Sequence, residues 1–106
     1  MTESQFLGVV EATLAQTEAA IDAAQIDADC AISGLVLTIE LDDGARVVVN
    51  AQAPMRQLWL ASRLGAMHFA WDEGGHWRDL RTGEEYFAAL ERVFSELLGK
   101  SVRLAP

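Results

Sequence analysis

Basic residues are missing from the first 45 positions of this 106-residue chain, where nine carboxylates stand without a single Lys or Arg. Cysteine is nearly missing too: Cys30 is alone, which excludes an internal disulfide and any cysteine-built zinc site. With only two histidines besides, the chain has too few such ligands for a tetrahedral zinc centre built of cysteine and histidine. No basic group stands beside Cys30 in sequence to lower its pKa, so it reads as a small hydrophobe and not a nucleophile. No apolar run reaches the roughly 18 residues that suggest a membrane span. The opening Met1-Thr-Glu-Ser-Gln5 carries no basic region ahead of an apolar one, so no secretory signal is expected and a cytoplasmic protein is. Neither G-x-G-x-x-G nor G-x-x-x-x-G-K occurs, and the eight glycines read as turn formers. No nucleophile elbow frames His68 or His76, which read as a surface strand residue and a turn residue, and no catalytic residue is assigned. Internal repeats, low-complexity segments and linkers are also missing.

What is present begins with the acids. Glu3, Glu11, Glu18, Asp22, Asp27, Asp29, Glu40, Asp42 and Asp43 precede Arg46, after which seven acids meet eight bases. The net charge of −8 therefore belongs to the first 45 residues. Nucleic acid and anionic membranes, which need a basic footprint, are excluded as partners. Cations or a basic protein surface fit. A hydrophobic fraction of 51% excludes a disordered tail, and the length is that of one domain, residues 1–106.

Residues 3–24 read as an alanine-rich helix with Phe6, Val9, Val10, Thr13, Thr17, Ala20 and Ile21 on its inner stripe. Glu11, Glu18 and Asp22 fall within roughly 40° of one another beside that stripe, at about 100° per residue. The like-charged Glu18 and Asp22, four residues apart, weaken a helix by about 0.2–0.5 kcal/mol, so stability alone would not select them. Strands are expected at 29–33, 35–41, 45–50, 57–62, 66–71 and 76–80, with Asp42-Asp43-Gly44 and Gly74-Gly75 as hairpin turns and Pro54 interrupting the pairing. Thr82-Gly-Glu-Glu85 reads as a capping box opening a second helix, whose Phe87, Leu90, Phe94, Leu97 and Leu98 recur at helical spacing until Gly99. The fold class is α+β, a two-layer sandwich. The N- and C-terminal helices pack on one face of an antiparallel sheet of five to seven strands, leaving the other face in water.

Two features carry chemistry. Carboxylates suit hard cations, so Glu11, Glu18 and Asp22, extended by Asp27 and Asp29, form a candidate open, weak oxygen site. The same row also fits a plain solvated helix face, or a dock for a basic partner. The second feature is Trp59, which shares its parity with Gln57 and Ala61 and so points away from the side that Leu58 and Leu60 bury. It either packs under a loop or the tail, or stands as an amphipathic anchor ringed by Gln57, Asn50 and Gln52.

Residues 47–50, then Gln52, Pro54, Gln57-Leu-Trp-Leu-Ala-Ser62, His68-Phe69, Trp77 and Asp79 through Thr82-Gly83-Glu84 closely resemble the frataxin family, specifically its bacterial CyaY branch. Asp29-Cys30, Gly34, Leu37-Thr38-Ile39 and the opening Glu3-Ser4-x-Phe6 fit the same pattern. The resemblance covers nearly the whole chain. It implies a non-enzymatic protein of iron–sulfur cluster assembly that binds ferrous and ferric iron weakly. The iron would lie on a ridge of Glu3, Glu11, Glu18, Asp22, Asp27 and Asp29. It implies contacts with the cysteine desulfurase and the scaffold protein through Asn50, Gln52, Gln57, Trp59 and His68. A monomer is expected, and whether iron drives oligomers is left open by the sequence. Leu7, Ala19, Ala23 and Ala31 stand where relatives can carry a histidine or acids, so this ridge is thinner.

Overall fold

Thr2 starts the first helix by a reciprocal cap: its hydroxyl accepts from the Gln5 N–H at 3.1 Å, and the Gln5 side chain accepts from the Thr2 N–H at 2.9 Å. The computed structural model describes residues 1–106, and in it α1 runs Glu3–Ala23. Strands follow as β1 (Ala28–Ser33), β2 (Val36–Leu41), β3 (Arg46–Gln52), β4 (Gln57–Ser62), β5 (Gly65–Trp71) and β6 (Trp77–Asp79), and the second helix, α2, is Tyr86–Leu98. A short 3-10 turn, Ala53–Met55, carries Pro54 between β3 and β4. All six strands pair with their sequence neighbours in one antiparallel sheet of order β1-β2-β3-β4-β5-β6. That is the meander expected when tight turns join alternating runs.

Alternation sorts the sheet into two faces. Leu37, Ile39, Leu41, Val47, Val49, Leu58, Leu60, Phe69 and Trp77 are buried beneath the inner faces of α1 and α2. From α1 come Phe6, Val10, Leu14 and Ile21, and from α2 Tyr86, Leu90, Val93 and Phe94. The partly open opposite face carries the row Val36, Asn50, Trp59 and His68, register partners across four strands. Leu14 belongs to the α1 stripe although the wheel centred on Phe6 and Val10 left it out, and Val9 at the stripe's margin is only half-buried.

Polar pairs tie the layers together. The Trp77 indole N–H donates to Thr13 Oγ1 at 2.9 Å, and that hydroxyl donates to the Val9 carbonyl at 2.8 Å. Thr17 donates to the Thr13 carbonyl at 2.7 Å, so the Tyr86 hydroxyl, 2.9 Å from Thr17 Oγ1, is the donor in that contact. No buried side-chain polar atom is left unpaired, as a low-dielectric interior requires.

Thr82 does not cap α2. Gly83 has φ 78°, the Asp79 carboxylate accepts from the Arg81 and Thr82 N–H groups, and the Gly83 N–H returns to the Asp79 carbonyl. Residues 79–83 are thereby closed into a turn. Glu85 is the cap instead, accepting from Phe87 and Ala88, and Gly99, at φ 67°, ends the helix. The remaining tail folds back along α2, with Val102 N–H donating to Ser95 Oγ and Leu104 N–H to Glu91 Oε2, both at 3.0 Å. Val102 and Leu104 are buried. The sheet has two edges: β6 is continued by a bridge between Arg78 and Glu85, whereas β1 pairs with β2 alone.

Candidate metal and partner surface

All six predicted ridge carboxylates, Glu3, Glu11, Glu18, Asp22, Asp27 and Asp29, are exposed. Glu3 sits in the first turn of α1, where the helix dipole favours an anion. It shares a shallow groove with Ser4, Leu7, Gly8 and Glu11. Two turns on come Glu18 and then Asp22, along a flank that runs down to β1. Cys30 reports the meeting of the two elements. Burial pushes its thiol pKa up, and the charges of Glu18 and then Asp29 push it further. An elevated thiol pKa makes Cys30 a poor nucleophile.

At the far end, Asp27 and Asp29 share a cleft of about 160 Å³ with Glu40 and Asp42. Asp29 and Glu40 are register partners across β1 and β2, and Glu40 also pairs with Arg46 at 3.1 Å. Sequence reasoning left Glu40 and Asp42 out of the site, because strand parity and the Asp42-Asp43-Gly44 turn accounted for them. Only the β1–β2 register could have added them. No three carboxylate, imidazole or thiol side chains converge to enclose a single ion. The exposed acids thus fall into separate groups, Glu3 with Glu11 at the start of α1 and Asp27, Asp29, Glu40 and Asp42 at the β1–β2 end, with Glu18 near Cys30.

Trp59 is half-buried on the open face of the sheet. Its ring stacks on His68 with centroids 4.1 Å apart and planes 10° from parallel, and its indole N–H donates to Gln57 Oε1 at 2.8 Å. Asn50 is its register partner on β3, and Gln52 pairs with Gln57. The tail is engaged on α2, so it does not cover this tryptophan. The arrangement supplies an aromatic plate braced from one side, with amide groups around it.

A family model for the frataxin-like domain matches residues 1–100. The chain belongs to the frataxin-like family. Among curated relatives it is 41% identical to the iron–sulfur cluster assembly protein CyaY of Ralstonia pickettii, over 99% of this chain and 96% of that one. It is 40% identical to the CyaY of Paraburkholderia phymatum over 100% of both, and 45% identical to that of Janthinobacterium over 98% and 96%. The frataxin of Psychromonas ingrahamii superposes with a TM-score of 0.90 at 25% identity, covering all of both chains. The trimeric frataxin of the yeast Saccharomyces cerevisiae, in its ferrous complex, gives 0.68 at 26% identity over 94% of this chain and 88% of the other. Two helices on one face of an open six-stranded antiparallel sheet is the frataxin architecture, and this frataxin-like chain has it. Neither of its helices is long and apolar enough to cross a membrane.

Proposed function

We propose that this chain is a non-enzymatic, iron-binding protein of iron–sulfur cluster assembly, acting as one domain over residues 1–106 in the cytoplasm. It binds ferrous and ferric iron weakly along Glu3, Glu11, Glu18, Asp22, Asp27 and Asp29. It modulates the cysteine desulfurase and scaffold complex as an iron-dependent regulator or donor, with Asn50, Gln52, Gln57, Trp59 and His68 as the surface for partners. The observation that carries this reading is that the six acids are all exposed and that Glu18 of α1 and Asp29 of β1 both act on Cys30 between them. The function borne by the names of relatives about 40% identical over the full length supports it. Carboxylates on a convex surface hold iron loosely, which suits sensing or transfer better than storage. Ferrous iron is expected to perturb the amide resonances of Glu18, Asp22 and Asp29 selectively. A spectrum unchanged at millimolar iron removes the ridge assignment. Desulfurase turnover with and without the protein, across an iron titration, separates regulator from donor.

The lack of any three converging ligands favours one alternative, an iron-independent module whose ridge docks on a basic partner surface. In that case Glu18→Lys with Asp22→Lys abolishes the desulfurase complex in iron-free buffer. A complex that survives the double substitution counts against docking through the ridge.

A further inference from the structure

A groove lies beside the N-terminal half of α1, between the 3-10 turn and the end of β5. It has a volume of about 650 Å³, within the range of small-molecule sites. Its apolar walls are Met1 and Val9 on the α1 side, Met55 from the 3-10 turn, and Trp71 at the end of β5. Met1 and Met55 are 52% and 54% exposed, so two flexible thioethers line a surface that nothing in the chain covers.

Arg56 sets the chemistry of this groove. It is a non-glycine residue in the left-handed region, φ 52° and ψ 44°, a conformation that L-residues adopt at a cost in strain. Both its backbone N–H and its Nη1 donate to the Ala53 carbonyl, and its guanidinium lies 5.8 Å from the centre of the Phe6 ring. Arg56 is the only half-buried base, the other seven being exposed, and like Arg63, Arg81, Lys100 and Arg103 it pairs with no carboxylate. What sets Arg56 apart from the other bases is that its guanidinium is tethered to the Ala53 carbonyl and partly withdrawn from water on an apolar wall. Asp72 lines the same groove but does not serve Arg56. One of its oxygens accepts from the His76 N–H at 2.9 Å and the other pairs with Arg78 at 3.2 Å.

We propose that this groove binds a small monocarboxylate with an apolar body, its carboxylate on Arg56 and its body against Met1, Met55, Val9 and Trp71. A guanidinium with free N–H groups is matched to a carboxylate, and methionine adapts to varied apolar shapes. Asp72 and Glu73 also line the groove and weaken the binding of every anion, polyanions such as citrate most of all, so a single carboxylate is the charge the groove tolerates.

Methionine methyl resonances provide the test, because Met1 and Met55 line the groove and Met67 lies outside it, beside Arg92. With 3-phenylpropionate as probe, the Met1 and Met55 methyl signals are expected to move and saturate at millimolar concentration while Met67 stays still. The neutral 3-phenylpropionamide and citrate should each bind about tenfold more weakly or worse, as loss of a charge-assisted contact implies. Arg56→Gln should weaken the carboxylate to the level of the amide, and Arg56→Lys should restore part of the difference. Equal binding of carboxylate and amide by the unaltered chain, equal binding of citrate, or shifts shared by Met67 would each overturn the proposal. The comparison of carboxylate with amide needs no variant to fold.

Discussion

Trp59 and Trp77 put the same side chain to two uses. Trp77 is 2% exposed, meets Phe6 and Trp71 edge to face and donates to Thr13. Its truncation to Ala is expected to cost about 3–5 kcal/mol, in the range of buried aromatic truncations. Trp59→Ala removes a half-buried ring and one stacking partner, for a loss nearer ~1 kcal/mol, with a cooperative fold retained. Urea unfolding followed by far-UV circular dichroism checks both, and equal losses would place Trp59 in the core. The direction in which Trp59 points follows from strand parity alone. Its bond to Gln57 and its stack on His68 do not, since the second needs the β4–β5 register. The left-handed backbone of Arg56 left no trace in residue type at all. Tyr86 gives a pH test. It is fully buried, and desolvation of the phenolate pushes its pKa up, with the Thr17 hydrogen bond opposing in part. Unfolded tyrosine ionises near 10, so the contribution of Tyr86 is complete below about pH 10 and declines above it as the unfolded chain alone loses the proton. Tyr86→Phe should cost about 1 kcal/mol at neutral pH, because Thr17 keeps its bond to the Thr13 carbonyl. It should also flatten the alkaline fall in stability, read as urea midpoints between pH 8 and pH 11.

At the scale of elements, the order of helix, strands and helix was open to sequence reasoning because period 2 and period 3.6 alternate cleanly between glycine turns. Helix starts were harder to place. Thr82 with Glu85 has the spacing of a capping box, yet Gly83 and the Asp79 turn hold those residues outside the helix, and Glu85 caps α2 by accepting from two N–H groups. The true reciprocal cap is at Thr2 and Gln5, where Gln replaces the more familiar Glu. Glu85→Ala is therefore expected to lower stability by about 1 kcal/mol and Thr82→Ala by a few tenths. The opposite order in thermal or urea midpoints would restore the earlier start of the helix. The tail is part of the same element group. It was legible only as an apolar remnant, since what fixes it on α2 is a pair of side-chain acceptors, Ser95 and Glu91, on the helix it returns to.

For the whole molecule, charge is distributed by chain position and the fold converts position into place: acids from residues far apart in sequence share one flank. Adjacent like charges repel across water, and salt screens that repulsion over a Debye length of about 30 Å at 0.01 M and about 8 Å at 0.15 M. Raising NaCl across that range is expected to raise the thermal midpoint by roughly 2–5 °C, and the gain should shrink in Glu18→Lys with Asp22→Lys. A midpoint indifferent to salt would mean the acids are too dispersed to repel. The ridge was legible as a row on a helical wheel, whereas its continuation through Glu40 and Asp42 depends on how β1 lies against β2. The one-sided pairing of β1 has a consequence for solubility. An unpaired strand edge is a template for stacking copies into aggregates, and charge is one of the few guards against it. Here the guard is Asp27, beside the strand, and Asp29, within it, both exposed. Whatever neutralises them, acid or a multivalent cation, also removes that guard against self-stacking.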